Sequence, residues 1–320
     1  WTLPANRAVA VHPDFAYAVV HLDTADGPRT AVVAEERWPA VRKILEQRRG
    51  DWLAGHEVLG TVGGQKLLDL GLHYRHPLAK GLTCPIVPAP YVTLEDGTGL
   101  VHTAPGHGLE DYGTALKCDL EIYCPVQADG TFDDTAPSWL HGHTVWEANP
   151  RVVARLREEQ LLLLEETIRH SYPHDWRSKT PTIFRATAQW FVAVDRPLAG
   201  QSASLRQLAL EACRAGAAGG GVDFVPAWGR QRMAGMLASR PDWCLSRQRS
   251  WGLPIPVFYN ADGQPLLTAA SVRAVARTVG REGADVWFAW APRELLDDYD
   301  PADDPDVDDP GRFGLGELTK

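Results

Sequence analysis

Apolar positions in the first third of the chain come in short runs that alternate with polar ones. Arg7 to Val11, Tyr17 to Leu22 and Thr30 to Ala34 read as strands, with Asp26-Gly27-Pro28 as a hairpin-like turn between the last two. The period then changes. Trp38, Val41, Ile44 and Leu45 fall at helical spacing within Glu35 to Arg48, and Gly50 supplies a stop. From Glu57 to Thr93 short apolar runs return, cut by Gly63-Gly64, Gly71, Pro77, Gly81, Pro85, Pro88 and Pro90; so many short strands between turns predict a small barrel. Further on, Tyr123 to Val126 is expected as a strand before the Asp129-Gly130 turn. Asn149-Pro150 is expected to open a helix carrying Val152, Val153 and Leu156, because an amide caps well and proline at the first helical position loses no hydrogen bond. Leu161 to Leu164 is expected as a strand that closes a domain near residue 168. Thr268 is placed to cap a helix carrying Val272, Val275 and Val279, and no internal repeat is found.

One stretch, Gly97 to Tyr112, carries more chemistry than its neighbours. A Gly-Thr-Gly turn leads into a short strand, Leu100-Val101, that ends in His102. A Pro105-Gly106 turn follows, then His107, and then Glu110 and Asp111 where a helix would open. Loops on a rigid scaffold gather polar side chains into a pocket at little cost. The same residue types also fit a plain surface turn, with Asp111 as a helix N-terminal acid facing the dipole. A metal reading of His102, His107 and Asp111 lacks the spacing of metalloproteases or zinc deaminases.

The run Gly-Thr-Gly-Leu-Val-His-Thr-Ala-Pro-Gly-His-Gly-x-x-Asp-Tyr resembles the core signature of the editing domain of the isoleucyl-tRNA synthetase family. Three further stretches resemble that family in the same order. Trp1-Thr2-Leu3-Pro4-Ala5-Asn6 is similar to the end of its threonine-rich peptide. His170-Ser171-Tyr172-Pro173, Trp176-Arg177, Lys179-Thr180-Pro181, Ile183 to Thr187 and Gln189-Trp190-Phe191 resemble the segment leaving the editing domain. Arg240 to Gly252 resembles the re-entry into the synthetase core, and Pro254-Ile255-Pro256 favours the isoleucyl over the valyl and leucyl relatives.

The resemblance implies an α/β protein: a β-barrel-rich α+β editing domain inserted in a class I Rossmann-like catalytic domain of which only part is present. The implied division is 1–168 editing domain, 169–198 linker strands, 199–258 part of the Rossmann-like domain, and 259–320 a connective helical and acidic segment. The implied reaction is hydrolysis of valyl-tRNA mischarged by an ATP-dependent isoleucine–tRNA ligase. Such a site is needed because a pocket separates substrates differing by one methylene by only about 1–3 kcal/mol, a limit for which isoleucine against valine is the standard illustration. By resemblance, Asp111 grips the substrate's α-ammonium, and His102 shapes the pocket against isoleucine or acts as a base. Thr2 and Asn6 belong to the same site, and Thr103, Gly106 and His107 line it. ATP and Mg2+ are implied for the parent enzyme and no cofactor for editing. Zinc is not expected, since Asp175 and Ser178 stand where some members carry cysteines. Implied partners are tRNA-Ile, isoleucine and valine, with no membrane and a monomeric full-length enzyme. Ala115 and Asp119 replace family glycines and are expected to reshape the turn after Tyr112. The adenylate-forming motifs His-x-Gly-His and Lys-Met-Ser-Lys-Ser do not occur, His141-Gly142-His143 being misplaced for the first. The family's threonines precede position 1, so the chain is expected to be part of a longer ligase and weak in hydrolysis alone. A free-standing deacylase or a non-catalytic tRNA-binding module are the alternatives.

Composition alters this picture in two places. The net charge of −9 runs against a tRNA partner, yet nine acids between Glu294 and Asp309 account for the whole excess of 41 acids over 32 bases. That block, with Pro301 and Pro305 inside it, is expected as a solvated loop. Five irregularly spaced cysteines argue against a disulfide framework and for a reducing, cytoplasmic setting. No apolar run reaches the roughly 18 residues a membrane helix needs, and no signal peptide opens the chain.

Overall fold

The computed structural model describes residues 1–167, 171–198, 200–214, 221–247 and 252–320. His170 and Gln248 to Trp251, which belong to motifs noted above, lie outside the described residues, as do Ala215 to Gly220, the bulk of a small-residue insertion, Ala215 to Gly221, that the resemblance marks as a departure from the family. Two compact units divide the chain, Trp1–Ala188 and Gln189–Lys320.

The first unit carries two sheets. Strands β1 (Ala8–Val11), β5 (His73–Arg75), β6 (Thr83–Pro88) and β7 (Leu100–Thr103) form the first, in the order β5-β6-β1-β7. Strands β2 (Ala16–Thr24), β3 (Gly27–Ala34) and β4 (Leu53–Gly63) form the second, with β2 central. The turn at 25–26 joins β2 to β3 as the hydrophobic pattern requires. Helix α1 (Trp38–Arg49) ends at Gly50 and lays Trp38 and Val41 on Ala18, Val20, Leu22 and Val33 of the second sheet. Ala8, Ala10, Val87, Ala89 and Val92 pack on one face of the first sheet, while Val11 and Tyr17 join Ile86 and Leu100 in another cluster. Each fully buried aliphatic side chain contributes about 1.5–3 kcal/mol, so these clusters hold the frame on which the polar groups are mounted.

The sheets do not close into a barrel. β6 explains part of this: Thr83–Pro85 pair antiparallel with β5, whereas Ile86–Pro88 pair parallel with β1. Each half is one-sided, which is where prolines 85 and 88 are tolerated despite lacking an N–H. Three local expectations are also corrected. Tyr123 to Val126 forms only an isolated bridge, Val126 to Phe132, because Pro125 has no donor for a ladder. Leu161 to Leu164 is not a strand; the guanidinium of Arg49 donates to the carbonyls of Leu163 (2.8 Å) and Leu162 (3.4 Å). The fourth helix, after α2 (Gly64–Asp69) and α3 (Leu109–Cys118), begins at Val145 rather than Asn149: α4 (Val145–Glu158) is opened by Thr144 in a reciprocal capping box with Glu147. Pro150 lies inside it, and the Asn149 side chain accepts from the Trp1 nitrogen at 2.7 Å instead of capping. Asp119, at a family glycine position, ends α3 in the left-handed conformation (φ 52°), which aspartate tolerates better than most residues.

The second unit pairs β8 (Phe191–Val192) with β9 (Trp243–Cys244), on either side of helices α5 (Leu205–Ala212) and α6 (Gly229–Ser239) in sequence. It also pairs β10 (Phe258–Tyr259) with β11 (Pro265–Leu266). Helix α7 (Ala269–Glu282) is capped by Thr268 as expected, and with two short helices, α8 (Val286–Ala289) and α9 (Pro292–Leu295), it encloses Phe258, Leu266, Val275, Trp287, Leu295 and Leu296. The acidic block is not a solvated loop throughout. Asp304 is 5 % exposed and accepts hydrogen bonds from Tyr299 (2.7 Å) and Thr268 (2.5 Å), so one acid of the run ties the tail to the cap of α7. No described helix is long and apolar enough to cross a membrane.

Candidate active site

The register of the first sheet decides which side chains meet. Val9 of β1 lies opposite His102 on β7 and Ile86 on β6, and Cys84 of β6 lies opposite Tyr74 on β5. Directly paired residues share a face, so Tyr74, Cys84, Ile86, Val9 and His102 form one row across four strands. Thr103 belongs to the other face, opposite Ala8.

Asn6, just before β1, sits at the end of that row with 2 % exposure. Its amide nitrogen is 2.9 Å from the Ala8 carbonyl and 2.7 Å from Nδ1 of His102, and its oxygen accepts from the Tyr74 hydroxyl. A carbonyl only accepts, so the Ala8 contact identifies that end of the amide as NH2. Nδ1 of His102 is therefore the acceptor, and the proton of the neutral ring is on Nε2. That nitrogen is 3.0 Å from Thr2 Oγ1 and donates to it. Burial, reinforced by the Trp1 ammonium and then by His76 and His107, pushes the His102 pKa from 6.5 down to about 4. The ring is neutral at physiological pH, with both nitrogens committed.

Asp111 occupies the third position of α3, and its Oδ2 accepts the Ala104 N–H at 2.8 Å. Burial raises its carboxyl above the usual range, and Glu110 adds to this, while the Ala104 N–H and the Tyr91 hydroxyl pull it down. No described Lys, Arg or His forms an ion pair with it. Gly108 precedes the helix, and a Cβ there would come within 3.1 Å of the Asp111 carboxyl carbon. The site thus holds a half-buried carboxylate whose charge has no counter-ion among the described residues.

His107 adopts the opposite tautomer to His102. Its Nδ1 is 3.0 Å from the Phe184 carbonyl and must donate, which leaves Nε2 as a lone pair, buried and without a hydrogen-bond partner among the described residues. The Trp1 ring packs edge-on at 4.9 Å, and burial lowers the imidazole pKa. Gly106 is required by packing: a Cβ would lie 2.3 Å from the Tyr123 carbonyl oxygen. Thr103 is fully buried, on the face of β7 opposite to His102.

The structure thus brings Thr2, Asn6 and His102 together directly, with Asp111 and His107 on the turn and helix that follow β7. Tyr74 and His76 were not singled out in the sequence. His76 is buried, its Nδ1 accepting from Leu78 (3.0 Å) and Ala79 (2.8 Å), and burial lowers its pKa to about 4. An aromatic and a histidine before Pro77 read like any strand end, and only the β5–β6 register would have revealed them. Asp175, at a position where zinc-binding members carry cysteine, instead accepts backbone N–H groups of Arg177 (3.1 Å) and Ser178 (2.6 Å) in a tight turn. A separate cleft of about 600 Å³ is lined by Arg48, Arg49 and Arg157, but each is ion-paired, to Glu166, Asp26 and Glu165.

Comparison with known proteins agrees with the sequence motifs. The isoleucine–tRNA ligase of Pseudomonas paraeruginosa (strain DSM 24068 / PA7) is 43 % identical over 303 residues, covering 93 % of this chain and 30 % of that protein. That of Azotobacter vinelandii (strain DJ / ATCC BAA-1303) is 42 % identical over 317 residues, covering 96 % and 31 %. That of Nitratidesulfovibrio vulgaris (strain DP4) is 45 % identical over 291 residues, covering 90 % and 28 %. The chain thus spans less than a third of the length of these relatives. A solved structure titled "The crystal structure of GlLeuRS-CP1" aligns with a TM-score of 0.38 and 14 % identity over 52 % of this chain and 81 % of that one, a likeness too distant to define the fold. The family model described as tRNA synthetases class I (I, L, M and V) matches residues 23–307, and the chain belongs to that family.

Proposed function

We propose that this chain carries the editing site of an isoleucine–tRNA ligase and that the site hydrolyses valyl-tRNA-Ile. The observation that carries this reading is Asp111, a half-buried carboxylate without a counter-ion among the described residues. An α-ammonium arriving there makes a charge-assisted hydrogen bond and ionises the carboxyl fully. His102, neutral and tied on both nitrogens, acts as a rigid pocket wall that orients Thr2 and does not remove a proton. His107 keeps an accepting lone pair and is the better candidate to hold the attacking water. In the reaction, a water oxygen adds to the ester carbonyl carbon. The bond from that carbon to the ribose oxygen then breaks, and the ribose oxygen takes up the proton.

The test is deacylation of valyl-tRNA by the full-length protein that contains this chain. Asp111→Ala is expected to lower kcat/KM by at least about 100-fold, the scale set by losing a charged contact of about 3 kcal/mol. Unchanged clearance by Asp111→Ala removes the assignment.

ATP and Mg2+ belong to the charging reaction of the proposed whole ligase, whose further substrates are isoleucine and tRNA-Ile. The described residues offer no group of three or more His, Cys, Asp or Glu placed to hold a metal ion, and no step above passes through one. A free-standing deacylase is the less favoured reading, because the family match continues to residue 307, across both units.

A further inference from the structure

We propose that Tyr74 is a positioning residue of this site, fixing the tautomer of His102 through Asn6. The inference rests on the editing reading for its consequence, but the relay itself is a matter of geometry.

Asn6 is almost fully buried, and its amide has three strong partners: Tyr74 on the oxygen, and the Ala8 carbonyl and His102 Nδ1 on the nitrogen. The Thr103 carbonyl lies at 3.4 Å as a weaker fourth. Tyr74 reaches Asn6 from β5, on the far edge of the sheet from β7, so one hydroxyl on an edge strand completes a network centred on the opposite edge. Each link has one allowed direction. The tyrosine O–H donates to the amide oxygen, the amide N–H donates to Nδ1, and the imidazole Nε2–H donates to Thr2 Oγ1. Thr2 is thereby made an acceptor toward His102, which leaves its own proton to be offered to a substrate oxygen or a water.

Removing the hydroxyl leaves the Asn6 oxygen buried with no donor, a cost of about 1–3 kcal/mol. That is comparable to the contacts holding the amide in place, so the side chain tilts toward any available donor and gives up His102. The ring then samples both tautomers, and in the Nδ1–H form it no longer donates to Thr2. Burial, with Cys84 opposite it, keeps the phenol protonated, so the relay holds across the physiological range.

The experiment combines Tyr74→Phe with Asn6→Ala in the full-length protein, read by valyl-tRNA deacylation and by imidazole nitrogen resonances of isotope-labelled histidine. Tyr74→Phe is expected to lower kcat about tenfold with KM within about twofold, and to convert the His102 signal from a pure Nε2–H form to a mixture. The double variant is expected to be no slower than Asn6→Ala alone, since both residues act through one chain. Unchanged tautomer signals in Tyr74→Phe, or fully additive losses in the double variant, overturn the relay. A wild-type protein that deacylates nothing overturns the editing reading instead, and an imidazole spectrum that still responds to Tyr74→Phe then upholds the relay.

Discussion

His102 illustrates how a single residue takes its role from its neighbours. An unperturbed imidazole titrates near 6.5 and could act as a base, but here burial lowers that value to about 4 and both nitrogens are engaged. The sign of the linkage follows. Between those two values the unfolded chain binds a proton that the folded chain refuses, so stability is full above about pH 6.5 and falls as pH drops toward 4. Urea unfolding of the protein is expected to show a loss of about 3 kcal/mol from this one group between pH 7 and pH 4. His102→Gln is expected to flatten that slope, and an unchanged slope contradicts the assignment of a neutral, buried ring. Gly106 makes a steric counterpart. Gly106→Ala forces a Cβ toward the Tyr123 carbonyl oxygen at 2.3 Å, and a drop of at least about 2 kcal/mol in urea unfolding is expected.

At the level of elements, the helix α4 cap is the clearest case of competition between signals. Asn149-Pro150 is a good start by residue type, yet Thr144 and Glu147 make the reciprocal capping box five residues earlier, and the helix absorbs the proline. Thr144→Ala is expected to cost about 1 kcal/mol in chemical unfolding, whereas Asn149→Ala should leave the helix cap unaffected. The strands around α1, the helix itself and the Thr268 cap were legible because alternation, helical spacing and capping chemistry act locally. The His102–Asn6–Tyr74 row was not, since it depends on which strands pair and in what register. Residues 123–126 and 161–164 are apolar runs that do not pair as strands for a related reason: Pro125 brings no donor to a ladder, and the Arg49 guanidinium occupies the carbonyls of Leu162 and Leu163.

For the molecule as a whole, net charge proved less informative than where the acids sit. Asp304 is buried against Tyr299 and Thr268, and although burial pushes its carboxyl up, the three hydrogen bonds it accepts hold it below the usual range. Asp304→Ala is expected to destabilise the Gln189–Lys320 unit by about 2 kcal/mol while leaving valyl-tRNA clearance within about twofold of wild type. Editing should reside in Trp1–Ala188, where Thr2, Asn6, His102, His107 and Asp111 all lie. Whether Asp111 grips the substrate's α-ammonium is decided by comparing valyl-tRNA with N-acetyl-valyl-tRNA, which keeps the ester but has no cation. The full-length protein is expected to deacylate the first and to leave the second near its spontaneous rate, and Asp111→Asn should treat the two alike. Equal cleavage of both substrates by the wild-type protein would strip Asp111 of that role.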